Sequence, residues 1–333
     1  MAWLGCCLLL AAGCARSGAH KPGQPAPRSG DEIVVCGQFF HTGAPVVLWM
    51  DSGGYDAYRV EKRFAPASQS AWNFAGHGQK PLDSPNRYDT RRDGLSDEEL
   101  ERVRGGGWDL PLLQKHVDQF VLHYDVCGTS KLCFKTLQDK RGLSVHFMLD
   151  LDGTIYQTLD LKERAWHATI SNSRSIGVEI ANVGSYPLDG PDFLVAWYAK
   201  DSAGQTRITL PAWIGSDGIK TPNFAGRPIR NDVIVGEVQG EMRRQYDFTA
   251  QQYDSLIKLT AALCTIFPQI RCDYPRDADG KLITHKLDDA QLSQYHGILG
   301  HYHIQTDKFD PGPALQWDKI VDGARQLMPA SQQ

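Results

Sequence analysis

The chain has 333 residues and a formal net charge of −4, from 35 Lys and Arg against 39 Asp and Glu. That balance excludes the clustered basic excess of a nucleic-acid binder. An apolar fraction of 41% and a charged fraction of 22% exclude global disorder, and no central apolar run reaches the roughly 20 residues of a membrane-spanning helix.

The first element is the uncharged, apolar stretch 1–13 (MAWLGCCLLLAAG), read as an export signal. The run Leu10-Ala11-Ala12-Gly13-Cys14 resembles a bacterial lipoprotein processing site. It makes Cys14 the lipid-attachment residue and implies an outer-membrane lipoprotein in the periplasm, touching the membrane only through its N-terminal lipid. No Lys or Arg precedes the run, so a plain signal peptide and a buried N-terminal helix remain as alternatives. Residues 14–30 are rich in Pro, Gly and Ser and read as a flexible tether.

Residues 31–110 form an N-terminal extension, either added strands of one sheet or a small separate lobe. Strands are predicted at Ile33–Phe40 and Pro45–Met50 around a turn at His41-Thr42-Gly43. Ser68–Asp93 reads as loop, and Ser96–Arg104 as a helix opened by Ser-Asp-Glu-Glu. Gln119–Tyr124 is a short apolar strand ending near His123. Ser144–Asp150 and Thr154–Thr158 flank an Asp-Gly turn and predict a hairpin. Ser175–Ala181 is a further strand. Residues 184–246 are a long, Gly- and Pro-containing stretch with a hairpin expected at Phe193–Ala199 and Gln205–Trp213. Its aromatics read as the core of that hairpin, with a sugar-stacking wall as the alternative. Thr249–Phe267 is the clearest helix, capped by Thr249 and stopped by Pro268. The interleaving predicts an α/β (α+β) protein.

Of 8 Cys, Cys6, Cys7 and Cys14 fall in the leader. Cys127 with Cys133, and Cys264 with Cys272, are spaced for local disulfides in an oxidising compartment, leaving Cys36 over; buried free thiols are the alternative.

Three segments stand out chemically: the strand-end His123, the run Gly300-His301-Tyr302-His303, and Lys308-Phe309-Asp310-Pro311-Gly312. Two imidazoles and a carboxylate can fill three positions of a tetrahedral zinc and leave the fourth open, although spacing alone does not assemble them. The ordered series VLHY, SVHFMLDLDGTIYQ, RAWHA, NSRSIGVEIAN, TAQQYDSLIKL and GHYHI…KFDPGPALQW resembles the zinc-dependent N-acetylmuramoyl-L-alanine amidase family, which includes AmpD-type amidases and peptidoglycan recognition proteins. The resemblance runs over roughly Phe120–Trp317, with insertions near 184–246 and 272–294, and implies a mixed central β-sheet flanked by helices and an amidase domain at 111–327. By it, His123, His301 and Asp310 are the ligands of one Zn2+, Glu179 is the catalytic acid/base, and Lys308 stands by the scissile bond. Trp166, His167 and Asn172 then line the substrate cleft. The Cys127–Cys133 pair resembles the disulfide after the first ligand of recognition proteins. His303 stands where the family has an Asp and is a rival ligand. The implied reaction is zinc-dependent hydrolysis of the amide between the lactyl group of N-acetylmuramic acid and L-alanine, by a monomer acting on peptidoglycan or muropeptides. A non-catalytic peptidoglycan binder of the same fold, and a zinc hydrolase of another amide, are the competing readings.

Overall fold

The structure, a computed structural model, describes residues 22–59, 61–70, 88–104 and 107–330. The leader 1–13 and Cys14 lie outside the described residues.

The central sheet has six strands, numbered here along the chain: β1 Val46–Leu48, β2 Gln119–Tyr124, β3 Phe147–Leu149, β4 Ile155–Gln157, β5 Ser175–Ile180 and β6 Gly297–Gly300. Their spatial order is β6-β2-β5-β3-β4-β1. β6, β2, β5 and β3 are parallel neighbours, β4 is antiparallel to β3, and β1 is parallel to β4. The sheet is therefore mixed, as its sequence suggests. Six α-helices accompany it among the described residues: α1 Asp97–Arg104, α2 Leu110–His116, α3 Ser130–Lys135, α4 Ala250–Ile266, α5 Asp289–Gln294 and α6 Trp317–Leu327.

Strand alternation divides the sheet into two unlike faces. Phe120, Leu122, Tyr124, Ile176, Val178 and Ile180 point to one side, into a core shared with Leu256, Leu259 and Leu263 of α4 and Ile320, Val321 and Ala324 of α6. Burying a side chain of this size contributes about 1.5–3 kcal/mol, so this face holds the fold together. The intervening residues Val121, His123, Ser175, Gly177 and Glu179 face the other way, and β2 and β5 pair Val121 with Gly177 and His123 with Glu179. α4 starts as its sequence predicts: Thr249 accepts the Gln252 N–H, and the Gln252 side chain returns a bond to the Thr249 N–H.

The N-terminal extension departs from its sequence reading in two places. The expected strand Ile33–Phe40 is a tight hairpin, Glu32–Val35 against Gln38–His41, turning at Cys36 and Gly37 with φ of 49° and 73°. A turn with two positive φ values suits the right-handed twist of paired strands, and the Asp160 carboxylate accepts the N–H of both turn residues. Beyond it, β1 joins the edge of the central sheet, and Tyr88–Thr90, expected within the loop Ser68–Asp93, is instead a short strand paired with Glu163–Ala165.

Residues 184–246 fold as two small antiparallel pieces. Tyr198–Lys200 pairs with Thr206–Ile208, while Ile234–Val238 pairs with Glu241–Gln245, beside which Tyr186–Pro187 lies. The aromatics divide: Tyr198 is buried with Leu194 and Val183, whereas Phe193 and Trp213 are exposed. Cys127 and Cys133 interact through their side chains, as do Cys264 and Cys272, and all four are free thiols in this structure.

Candidate active site

Open sheets with parallel strands bind ligands at the carboxyl ends of those strands. The chemistry-bearing residues lie there. His123 is the penultimate residue of β2. On one side β6 runs straight into the short 3-10 turn His301–His303; on the other, β5 sets Glu179 beside His123.

His123, His301 and Asp310 converge. His123 Nδ1 is 2.7 Å and His301 Nδ1 3.0 Å from Asp310 Oδ2, and the two Nδ1 atoms are 3.1 Å apart. All three residues are buried, with exposures of 2%, 7% and 8%. The outer ring nitrogens have their own partners. His301 Nε2 is 2.7 Å from Gln305 Oε1, and His123 Nε2 is 3.1 Å from His167 Nδ1. A proton on each Nε2 leaves both Nδ1 lone pairs aimed at the shared point, as orienting groups behind metal-ligating histidines do. Burial and the neighbouring His301 hold His123 below the usual imidazole range, so it stays neutral. Burial alone would raise Asp310, but the two imidazoles that face it keep it well below the usual carboxylate range. Two imidazoles and one carboxylate, clustered this tightly, are a donor set for a divalent metal.

His167 is packed behind the site. Its Nδ1 meets His123 and its Nε2 lies 3.3 Å from Ser175 Oγ, so both ring nitrogens are engaged within the protein. It fits only because β5 carries Gly177: a Cβ there would stand 2.5 Å from the imidazole. Asn172 Oδ1 accepts the His167 and Ala168 N–H groups and fixes the turn that carries the ring. His303, by contrast, turns away from the cluster. Its Nδ1 accepts the Gly300 N–H at 2.8 Å and its Nε2 donates to the Ile283 carbonyl at 2.6 Å. It is an internal brace, and the rival-ligand reading is set aside.

A cleft of about 560 Å³ opens over the cluster, lined by Glu179, Lys308, Trp166, His167 and Asn172, with Cys127 and Cys133 on its wall. Glu179 is largely enclosed, and burial, then the Asp310 charge, pushes its carboxyl well above the usual range. Lys308 Nζ lies 3.6 Å from Asp307 at the rim. The Arg164 guanidinium sits 5.4 Å from the Trp166 ring centroid, and the Trp166 Nε1 has no hydrogen-bond partner among the described residues. Cys264 and Cys272 are remote from the cleft, in the core between α4 and α6.

The sequence reading missed Gln305, whose only signal is its i+4 spacing from His301 within a single turn. It also missed Arg91. This buried residue of the extension donates to the carbonyls of Leu161, Asn172, Ser173 and Ser175 beneath the turn that holds His167.

The family model of N-acetylmuramoyl-L-alanine amidases (Amidase_2) matches residues 113–313. Among solved structures, the chain is similar to a selenomethionine derivative of AmpD, at 18% identity over 73% of this chain and 90% of that one, with a TM-score of 0.32. It is similar to AmiD from E. coli, solved with anhydro-N-acetylmuramic acid-L-Ala-D-gamma-Glu-L-Lys, at 19% identity over 62% and 57%, with a TM-score of 0.35. The endolysin LysCS from Clostridium intestinale URNW aligns at 15% identity over 65% and 88%, with a TM-score of 0.33. No curated protein sequence matches. The matched span exceeds half the chain and contains all three residues of the donor cluster, so the chain belongs to the N-acetylmuramoyl-L-alanine amidase family and is an amidase.

Proposed function

We propose that the chain is a zinc-dependent hydrolase of the amide between the lactyl group of N-acetylmuramic acid and the L-alanine of the peptidoglycan stem. The observation that carries this is the meeting of His123, His301 and Asp310 at one point beside Glu179. Those three residues would hold a zinc ion, which would supply polarisation of the amide carbonyl and acidification of the attacking water. Glu179 takes the proton of that water. Its raised carboxyl is a stronger base than a surface carboxylate and can hold the proton for the leaving amine. The Lys308 ammonium balances the negative charge that grows on the carbonyl oxygen. His167 orients His123, and Gln305 orients His301. Trp166 and Asn172 form the wall against which the muropeptide lies, its sugar against the apolar ring.

The remaining assignments belong to the same reading. Residues 1–13 are an export signal and 14–30 a tether to a lipid on Cys14, which puts a monomeric enzyme at the outer membrane facing the periplasm. Residues 31–110 and 111–327 are the extension and the amidase domain. In that compartment Cys127–Cys133 and Cys264–Cys272 close as disulfides, since each thiol already meets its partner. Intact-mass measurement of exported protein, with and without reductant, should differ by four hydrogens.

The deciding experiment is a digest of purified peptidoglycan with mass spectrometry of the products, with zinc, with chelator, and with Glu179→Ala. Stem peptides beginning at L-alanine, released only with metal and Glu179, are the expected result. Metal-dependent retention on peptidoglycan without release would replace the enzyme by a binding protein. Neither release nor retention would point to another amide.

A further inference from the structure

The hairpin Ile234–Val238/Glu241–Gln245 lies within the inserted residues, yet it is laid along the loop that carries His301, Lys308 and Asp310. At its turn, Gln239 aims its amide at that loop. Nε2 donates to the carbonyls of Tyr302 at 2.9 Å, Gln305 at 2.8 Å and Lys308 at 3.3 Å. Gln239 is itself held from behind: its Oε1 accepts the Lys286 N–H, and its own N–H donates to the Thr284 carbonyl.

The far strand repeats the pattern beyond Asp310. Gln245 Nε2 donates to the Pro311 carbonyl and its Oε1 accepts the Ala314 N–H. Between the two glutamines, the Arg243 guanidinium sits 3.7 Å from the centroid of Phe309. The approach is close enough that a Cβ on Gly236 would stand 2.8 Å from Pro313. Surface loops ordinarily leave such carbonyls to water. Here three of them converge on one amide, and the contacts bracket the ligand loop on both sides of Asp310.

We propose that this hairpin is a positioning strap for the metal-ligand loop, with Gln239 as its closing contact. The strap fixes the eight residues between His301 and Asp310, so that both ligand side chains and Lys308 are presented to His123 before metal or substrate arrives. Ordering done in folding is not demanded again at binding. The proposal rests on the metal-site reading given above. Gln239 touches neither ligand atoms nor cleft, so it acts through the loop. Asn is one methylene shorter, and a carboxylate cannot donate to carbonyls.

The test uses the full chain with Gln239→Ala and Gln239→Glu, and with Glu237→Gln as control, an exposed side chain on the same hairpin. The first readout is hydrogen exchange in metal-free protein. The Gln305 and Lys308 amides, bonded to the His301 and Gln305 carbonyls, should exchange at least tenfold faster in both Gln239 variants, with the β5 amides unchanged. The second is zinc affinity by competition with a chromophoric chelator, expected to weaken roughly 10–100-fold. The third is kinetic: kcat falls while KM stays within about twofold. The control should match the wild type throughout. Unchanged loop exchange and zinc affinity in both variants would overturn the strap. So would failure to fold, or loss of protection that extends to β5, because Gln239 would then be a general stability residue. A wild-type protein that neither binds zinc nor cleaves would overturn the metal-site reading instead, and the metal-free exchange comparison would still decide the strap.

Discussion

The parallel strands β6, β2 and β5 and the added hairpin Ile234–Gln245 serve one site by different means. The strands place His301, His123 and Glu179 through main-chain register: three neighbouring strands that end together must deliver their terminal side chains to one edge. The hairpin places nothing reactive and holds a loop through side-chain bonds to its carbonyls. The difference teaches where chemistry and precision come from in this molecule. The reactive set follows from the sheet, while the spacing of its looped members is set by a segment with no chemistry of its own. The comparison can be broken at either end.

The largest expected effect is on the sheet side. Glu179→Gln keeps the shape of the side chain and removes the proposed base, so kcat should fall by about two to four orders of magnitude. Zinc stoichiometry should be unchanged, because Glu179 is not among the three donors. Rates of muropeptide cleavage together with metal analysis check this. Activity within tenfold of wild type would move the base elsewhere and leave the strand-register argument without its centre.

Next is Arg91, which asks whether the N-terminal extension is support or ornament. Its guanidinium is fully buried, and burial holds it down to about 9. It donates to four backbone carbonyls under the His167 turn. Arg91→Leu removes every one of those donors, and unpaired buried carbonyls are costly, so about 3–5 kcal/mol of stability should be lost. Urea unfolding with and without zinc measures it. A loss below about 1 kcal/mol would make the extension an independent appendage.

These cases mark what the sequence could disclose. The α4 cap, the Asp-Gly turn and the apolar strands were legible because each is local: Thr249 and Gln252 are three residues apart, and Asp152-Gly153 is its own turn. The proposed ligands were legible only through six motifs in order, because His123 and Asp310 are 187 residues apart with no spacing rule to join them. Arg91 and Gln239 were illegible for a sharper reason. Both act on backbone carbonyls, and a carbonyl leaves no trace in residue type. The break of the first strand at Cys36-Gly37 was missed because a Cys with positive φ is uncommon, and here the Asp160 carboxylate stabilises it from a distance.

His146 gives a pH-dependent test of the packed layer behind the site. Its Nδ1 accepts the Gly177 N–H and its Nε2 faces the Glu163 carbonyl. Burial, and then the Arg91 charge, depress it to about 3. An unfolded His takes up its proton near pH 6.5. The contribution is therefore fully present above 6.5 and is lost as pH falls toward 3, where the unfolded chain binds a proton that the folded chain refuses. Between about pH 5.5 and 4 the slope of stability against pH should include roughly 1.4 kcal/mol per unit from this residue. His146→Gln should remove that share, as urea titrations in the presence of chelator at several pH values would reveal. An unchanged slope would mean that His146 is protonated in place.

The smallest effect concerns the other half of the insertion, where the comparison is sharpest. Trp213 is 68% exposed, and its ring contact is an edge-on meeting with Trp197 at 5.8 Å. It belongs to the segment around Tyr198–Ile208, which leans on α3 through the Ser216 carbonyl and Lys131 and contributes nothing to the ligand loop. An exposed aromatic pair of this kind stabilises by about 0.5–1 kcal/mol. Trp213→Ala should therefore leave zinc affinity and turnover of soluble muropeptides within about twofold of wild type, with only a slight drop in Tm. A Gln239 variant, in the second hairpin of the same insertion, should lose both. If Trp213→Ala weakens zinc binding as Gln239→Ala does, the insertion acts as one body on the site, and the strap cannot be confined to a single hairpin.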